Sequence, residues 1–165
     1  ALVPLSAAHS VTKLEGGKSA DRLKRWRRIA LGAARQSGNP FLLEVHPPVS
    51  VDESLRESDG RFDLRLFGAL GPGTIPLWDA LAPCRGRSGI RVGVWIGPEG
   101  DWSELEQTAL RACGGTAVSL GPLVLRAETA AVYGLSVIGA AFLTTGSGTP
   151  GSSSWIETAA SPGSR

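Results

Sequence analysis

The 165-residue chain contains no methionine, one tyrosine, two cysteines and two histidines. It starts at Ala1, and a chain with no methionine at all is expected to be a fragment or a processed product. Cys84 and Cys113 lie far apart, without His or Cys partners at ligand spacing, so neither a disulfide framework nor a metal site is expected. A reducing compartment fits: the cytoplasm, or an organelle if the source is eukaryotic. Charge is scarce too, at 19% with a net of +2, which excludes a protein held on polyanions by bulk charge. Any nucleic-acid role must then come from a local patch. No apolar run approaches the roughly 20 residues that cross a bilayer, and the opening Ala-Leu-Val-Pro-Leu is too short for a signal core.

What the chain has in excess is glycine and proline, 22 and 11 residues. That fifth of the sequence excludes a coiled coil or helical bundle and favours a loop-rich α/β domain. A short strand is expected over residues 2–5, and residues 20–36 have the spacing of a basic amphipathic helix. In that helix Leu23, Trp26, Ala30, Ala33 and Ala34 mark one face, with Arg22, Lys24, Arg25, Arg27 and Arg28 around it. Residues 41–45 read as a strand. Ser50 with Glu53 is a capping box for a short helix to about Glu57. Alternation over Phe62, Leu64 and Leu66 predicts a half-buried strand, and residues 74–81 a short helix with Pro76 in its first turn. The almost continuously apolar residues 90–96 predict an interior strand, running straight into Gly97-Pro98-Glu99-Gly100.

Ser103 with Glu106 caps a second helix, which Gly114-Gly115 ends; residues 117–120 follow as a strand and residues 127–143 as a long apolar helix. Strands alternating with helices predict a mostly parallel sheet with helices on both faces. From Thr144 the composition turns to Gly, Ser, Thr and Pro, so residues 146–165 are expected to form a flexible tail.

In such a sheet ligands bind at the carboxyl ends of strands, and two loops qualify: residues 97–102 and 121–126. Each opens on glycine, which lets a ligand approach the backbone, and each feeds a helix amino end. Either could be an ordinary turn; together they point to one site. Gly16-Gly-Lys-Ser19 has Thr12 where a phosphate loop needs glycine, and no dinucleotide fingerprint or nucleophile elbow is present. His9 and His46 read as surface residues. With so few acid–base groups, chemistry by positioning two bound reactants is the natural expectation.

Ile96-Gly-Pro-Glu-Gly100 with Trp102-Ser103 and Glu106, then Leu120-Gly-Pro-Leu-Val-Leu-Arg-Ala-Glu-Thr-Ala130, resembles the paired signature of the RsmE family of SPOUT-class methyltransferases. Lys18-Ser19, Arg25-Trp26 and Ala34-Arg-Gln-Ser37 with Pro40 match in order and spacing, so the likeness covers about residues 1–143. It implies S-adenosyl-L-methionine-dependent methylation of N3 of a uridine in small-subunit (16S) ribosomal RNA, within a homodimer. It also implies a C-terminal deep trefoil knot, an exception to the rule against knotted chains. On that basis Ile96, Gly97, Pro98, Glu99, Gly100, Leu120, Gly121, Leu123, Val124, Leu125 and Arg126 would hold the cofactor. Arg126 would stabilise the charge that builds on the uracil oxygens, and Glu128 or Glu99 would accept the proton or orient Arg126, helix capping being the other role open to either.

Lys18, Arg22, Arg25, Arg28 and Gln36 would contact RNA, unless the basic helix is simply a solvated face. Tyr133, Leu135 and Ile138 would face the dimer partner or the domain's own core. Measured against the family, residues 1–145 are expected to be a methyltransferase domain without its first strand and helix, with the family's N-terminal PUA-like domain expected to be absent. Asp101 replaces a usual glycine, which is expected to perturb the loop, and Asn39 replaces a common arginine. Those departures leave a second reading open, an inactive relative that serves as an RNA-binding or assembly module.

Overall fold

The computed structural model describes residues 1–10, 18–85 and 87–143. Along them run β1 (Leu5–Ser6), α1 (Lys18–Ser37), β2 (Val49–Ser50), α2 (Val51–Glu57), β3 (Leu64–Gly68), β4 (Ile75–Pro76), α3 (Leu77–Ala80), a 3₁₀ turn at Ala82–Cys84, β5 (Val92–Trp95), α4 (Glu104–Ala112), β6 (Thr116–Ser119) and α5 (Ala127–Leu143). Every strand pairing is parallel, which requires the crossovers that the intervening helices and loops supply. Four strands form one sheet in the order β4-β6-β3-β5, and β1 pairs with β2 in a separate two-stranded sheet.

The core divides at β3. Leu66 and Phe67 leave the sheet on opposite faces and both are fully buried. Leu66 joins Leu77, Leu81, Val118 and Ile138 beneath α3 and α5, whereas Phe67 joins Val51, Leu55, Trp95, Trp102 and Leu110 beneath α2 and α4. Helices therefore cover both faces of the sheet, as the strand–helix alternation predicts. Each of these side chains contributes on the order of 1.5–3 kcal/mol by leaving water.

Several expectations are corrected. The strand expected in the sheet interior, β5, lies at an edge and pairs only with β3 among the described residues. Its apolar character comes from cover on two faces, Trp95 against one core and Val92 and Val94 against the other. Nor is β3 half-buried: the polar Arg65 in its middle is held by its terminal nitrogens, which donate to the carbonyls of Cys113 and of Ser58, the latter at 3.0 Å. Residues 41–45 form no strand; Val45 alone bridges Leu2, and Phe41, Leu42 and Leu43 are exposed. The side chain of Asn39 accepts from the Phe41 N–H at 2.9 Å, turning the chain where the strand was expected to begin. Residues 75–76 pair with β6 as β4, so Pro76 caps α3 rather than entering its first turn. The expected 2–5 strand is reduced to a bridge at Leu2 and the short β1. At α2 the Ser50 hydroxyl accepts from Glu53 N–H at 3.2 Å. The expected tail at 146–165 and the glycines of Gly16-Gly-Lys-Ser19 lie outside the described residues.

The capping box at α4 is complete and extends further than expected. Ser103 Oγ accepts from Glu106 N–H at 3.3 Å, and the Glu106 carboxylate accepts from Ser103 N–H at 2.9 Å and from Ala8 N–H at 2.8 Å. Burial pushes the Glu106 carboxyl up, but these hydrogen bonds outweigh it and hold the group below the ordinary glutamate range. A carboxyl lowered in the folded state stabilises fully above its unfolded value and loses that contribution as pH falls through the lowered one. Glu106→Ala should therefore cost about 1 kcal/mol near neutral pH. In urea titrations the gap from the parent should close under acid conditions.

Candidate functional site

Three loops leave the carboxyl ends of neighbouring parallel strands and meet over one cavity of about 310 Å³. They are residues 68–74 after β3, 96–101 after β5 and 119–125 after β6, with Ala130 of α5 beneath. Side chains and backbone cross-brace them. The carboxylate of Asp101 accepts from Leu70 N–H at 3.0 Å, and the Trp102 indole N–H donates to the Gly68 carbonyl at 2.8 Å. Glu99 accepts from the N–H of Ala127, the first residue of α5, at 3.4 Å. His9 Nδ1 lies 3.0 Å from the carbonyl oxygens of both Gly100 and Asp101; both are acceptors, so that nitrogen carries the proton.

Two glycines are required here. A Cβ on Gly97 would come within 2.9 Å of the Trp102 ring, and Gly121 has φ +129°. The cavity wall is otherwise mostly apolar side chains and backbone, with Thr74 and Ser119 as hydroxyl residues, and its formal charges are the carboxylates of Glu99 and Asp101.

Of the residues expected to hold a cofactor, Ile96, Gly97, Pro98, Glu99, Leu120, Gly121, Leu123, Val124 and Leu125 line this cavity. Gly100 does not; it faces His9, whose Cβ would stand 3.3 Å from a Cβ placed there. Arg126 is also outside the wall, exposed at the threshold of α5, where its carbonyl accepts from Ala130 N–H at 2.8 Å. Glu128 is exposed in the first turn of that helix. The hydrogen bond to Ala127 N–H gives Glu99 the helix-capping role.

The loop after β3 was missed from sequence. Its signal was the one used for the other two, a glycine at the end of an apolar strand: Gly68, as with Gly97 and Gly121. Asp101, expected to perturb its loop, instead braces it. It takes a left-handed conformation (φ 60°), which Asp adopts more readily than most residues, and ties its loop to the one after β3. Asp101→Ala should lose the tie and keep the strain, weakening cofactor binding about tenfold by calorimetry, with Asp101→Asn milder.

The helix α1 holds Arg22, Arg25, Arg28 and Gln36 at or near the surface, and Lys18 begins it. Arg27 is taken up structurally, donating to the Val45 carbonyl at 3.0 Å. Of the three residues weighed for a dimer face, Ile138 is buried in the domain's own core, whereas Tyr133 and Leu135 are exposed. Cys84 and Cys113 are free thiols, burial pushing the Cys84 thiol up. Among the described residues no cluster could hold a metal ion, and no helix is long and apolar enough to cross a membrane.

Residues 1–139 match the model of an RNA methyltransferase domain. The ribosomal RNA small subunit methyltransferase E of Bacillus subtilis is 32% identical over 141 residues, which are 84% of this chain and 54% of that protein. A Legionella pneumophila protein described as a methyltransferase, solved with bound SAM, superposes with a TM-score of 0.75 at 32% identity, covering 85% of this chain and 55% of that one. The methyltransferase E of Neisseria gonorrhoeae, bound to S-adenosyl methionine, gives a TM-score of 0.66 at 30% identity over 82% of this chain and 52% of that one. The chain spans about half the length of the curated relatives it matches.

Proposed function

The chain belongs to the RNA methyltransferase domain family, in its RsmE-type SPOUT branch, and from that premise we propose that it methylates N3 of a uridine in small-subunit ribosomal RNA, with S-adenosylmethionine as donor. The observation that carries this reading is the three-loop cavity, walled by nine of the eleven residues that the paired motif assigns to the cofactor, all but Gly100 and Arg126. The residues fit that group. An apolar, backbone-rich cradle suits adenine and ribose, and the carboxylates of Glu99 and Asp101 suit a ligand that is cationic at its sulfonium and ammonium. When bound, the cofactor supplies a methyl group already activated by positive sulfur.

The protein's part is then alignment and proton management. Arg126 stands beside the third loop, where its guanidinium would face the oxygens that gain charge as uracil N3 loses its proton. The amino end of α5 adds partial positive charge at the same place. Glu128, in the first turn of that helix, would accept the proton, because Glu99 is occupied at Ala127.

The proposal includes a trefoil knot, supported by β6 entering between the earlier strands β3 and β4. It also includes a homodimer through the exposed Val132, Tyr133 and Leu135 of α5 with Leu123 and Val124 of the third loop. An rRNA substrate places the protein with ribosomes, in the cytoplasm or an organelle.

Titration with S-adenosylmethionine, then incubation with small-subunit rRNA lacking the mark and nucleoside analysis, tests the reading. It expects saturable binding and 3-methyluridine; no transfer would reduce the chain to a binding module. The basic face of α1 is the RNA contact in this scheme. Reversing Arg25 and Arg28 to Glu should weaken RNA binding by at least about tenfold and flatten its salt dependence, measured by filter binding across a salt series.

A further inference from the structure

The turn that follows β1 grips the loop after β5 at two points. The turn is closed by its own ends: Ser10 N–H donates to the Ala7 carbonyl at 3.0 Å, and Ser10 Oγ accepts from Ala7 N–H at 3.0 Å. Its two central residues, Ala8 and His9, are exposed and reach across. His9 Nδ1 shares one proton between the carbonyls of Gly100 and Asp101, 3.0 Å from each, and Ala8 N–H donates to the Glu106 carboxylate at 2.8 Å. Between those points the side chains of Asp101 and Trp102 bond a different segment, at Leu70 N–H and the Gly68 carbonyl. The loop after β5 is therefore suspended between the turn after β1 and the loop after β3.

Along an extended strand the backbone alternates from residue to residue, so two carbonyls in succession do not converge on one nitrogen. They converge here because Asp101, which joins the two peptides, is turned to φ 60°, the one positive φ outside glycine among the described residues. Such a conformation persists only where the surroundings over-determine it. Asp101 N–H, donating to the Pro98 carbonyl at 2.9 Å, fixes one side of the residue, and the carbonyl pair on His9 fixes both peptides around it. Gly100 supplies the room: a Cβ there would stand 3.3 Å from the His9 Cβ and 3.7 Å from its Nδ1. His9 and Gly100 both lie outside the wall of the three-loop cavity, whereas Asp101 is on it.

We propose that His9 is a positioning residue for the cofactor site and acts through Asp101. Its shared proton holds the Gly100 and Asp101 carbonyls together, which keeps Asp101 in its left-handed conformation and its carboxylate on Leu70 N–H. Without that proton Asp101 relaxes to a commoner conformation, the tie to Leu70 opens and the loops after β3 and β5 part. The role toward S-adenosylmethionine rests on the methyl-transfer reading of the cavity. It also gives Gly100 a purpose in the motif: space for the histidine rather than contact with the cofactor.

The test uses the full chain. In His9→Ala without cofactor, amide hydrogen exchange at Leu70, which His9 does not touch, should quicken about tenfold, while Leu2 N–H, held by the Glu44 carbonyl at 2.8 Å, keeps its rate. Calorimetry should show S-adenosylmethionine bound about fivefold more weakly. Combining His9→Ala with Asp101→Ala should weaken binding no further than Asp101→Ala alone, because the two act as one unit. His9→Asn places an amide nitrogen where Nδ1 stands, with a proton for each carbonyl, and should restore both readouts. Unchanged Leu70 exchange in His9→Ala, losses that add in the double variant, or no rescue by Asn overturns the proposal. The exchange readout needs no cofactor, so a parent chain that binds no S-adenosylmethionine is a failure of the methyl-transfer reading, and unchanged exchange is a failure of the His9 clasp.

Discussion

Replacing Arg126 by alanine should lower methyl transfer to rRNA about 100-fold, the loss typical for removing one preorganised charge stabiliser. S-adenosylmethionine affinity should stay within about twofold, because an interaction made only in the transition state leaves ground-state binding alone. The structure makes the two readouts separable. Arg126 lies outside the wall of the three-loop cavity and is exposed, so truncation leaves neither a hole in the core nor a gap in the cofactor cradle. Its backbone role, accepting from Ala130 N–H at 2.8 Å, survives in alanine, so α5 should still begin where it does. Arg126→Lys keeps a charge without the planar fork and should fall between the two. Single-turnover transfer and calorimetry on the same preparations check this; an unchanged transfer rate in the alanine variant removes Arg126 from the mechanism.

How much of this was legible in the sequence depended on whether the deciding interaction was local. The helix α4 could be read because its cap is: Ser103 and Glu106 satisfy each other three residues apart. The long apolar helix at residues 127–143 was expected with the bounds it has. Strand placement failed where partners decide it. Residues 90–96 look the same whether a strand is central or is an edge covered on two faces, and the structure makes β5 an edge. The apolar Phe41, Leu42 and Leu43 carry strand propensity but pair with no strand among the described residues; of this segment only Val45 makes a bridge, to Leu2.

The site was two-thirds visible on the same grounds. The loops after β5 and β6 carry extended glycine motifs, whereas the loop after β3 offers only Gly68 at its strand's end, and it is the register of β3 between β5 and β6 that brings it alongside them. Asp101 shows the limit most clearly. From sequence it is a charge where glycine is usual, and only the approach of Leu70 N–H to 3.0 Å turns it into a brace.

Trp102 should be the residue whose loss damages fold and site together. It is 3% exposed, sits in the core with Phe67 and Leu110, and donates its indole N–H across to Gly68. Trp102→Ala leaves a large cavity and an unpaired carbonyl, a change that costs about 3–5 kcal/mol. The thermal midpoint should fall by about 10 °C or more for a domain of this size. Loss of cofactor binding in so damaged a protein would say little, so two gentler variants carry the distinction. Trp102→Phe keeps most of the packing and removes only the donor, at about 1–3 kcal/mol. Gly97→Ala keeps the indole but places a methyl within 2.9 Å of it, on the wall of the cavity itself. If Trp102 links core to site through Gly97 and Gly68, both variants should stay folded and bind S-adenosylmethionine about tenfold more weakly. Gly32→Ala is the matching control: nothing lies within 4 Å of a Cβ there, on the exposed side of α1, and the change should stabilise by about 0.5–1 kcal/mol with affinity unaltered. Normal affinity in both Trp102→Phe and Gly97→Ala would confine the tryptophan to a packing role and detach the core from the cofactor loops.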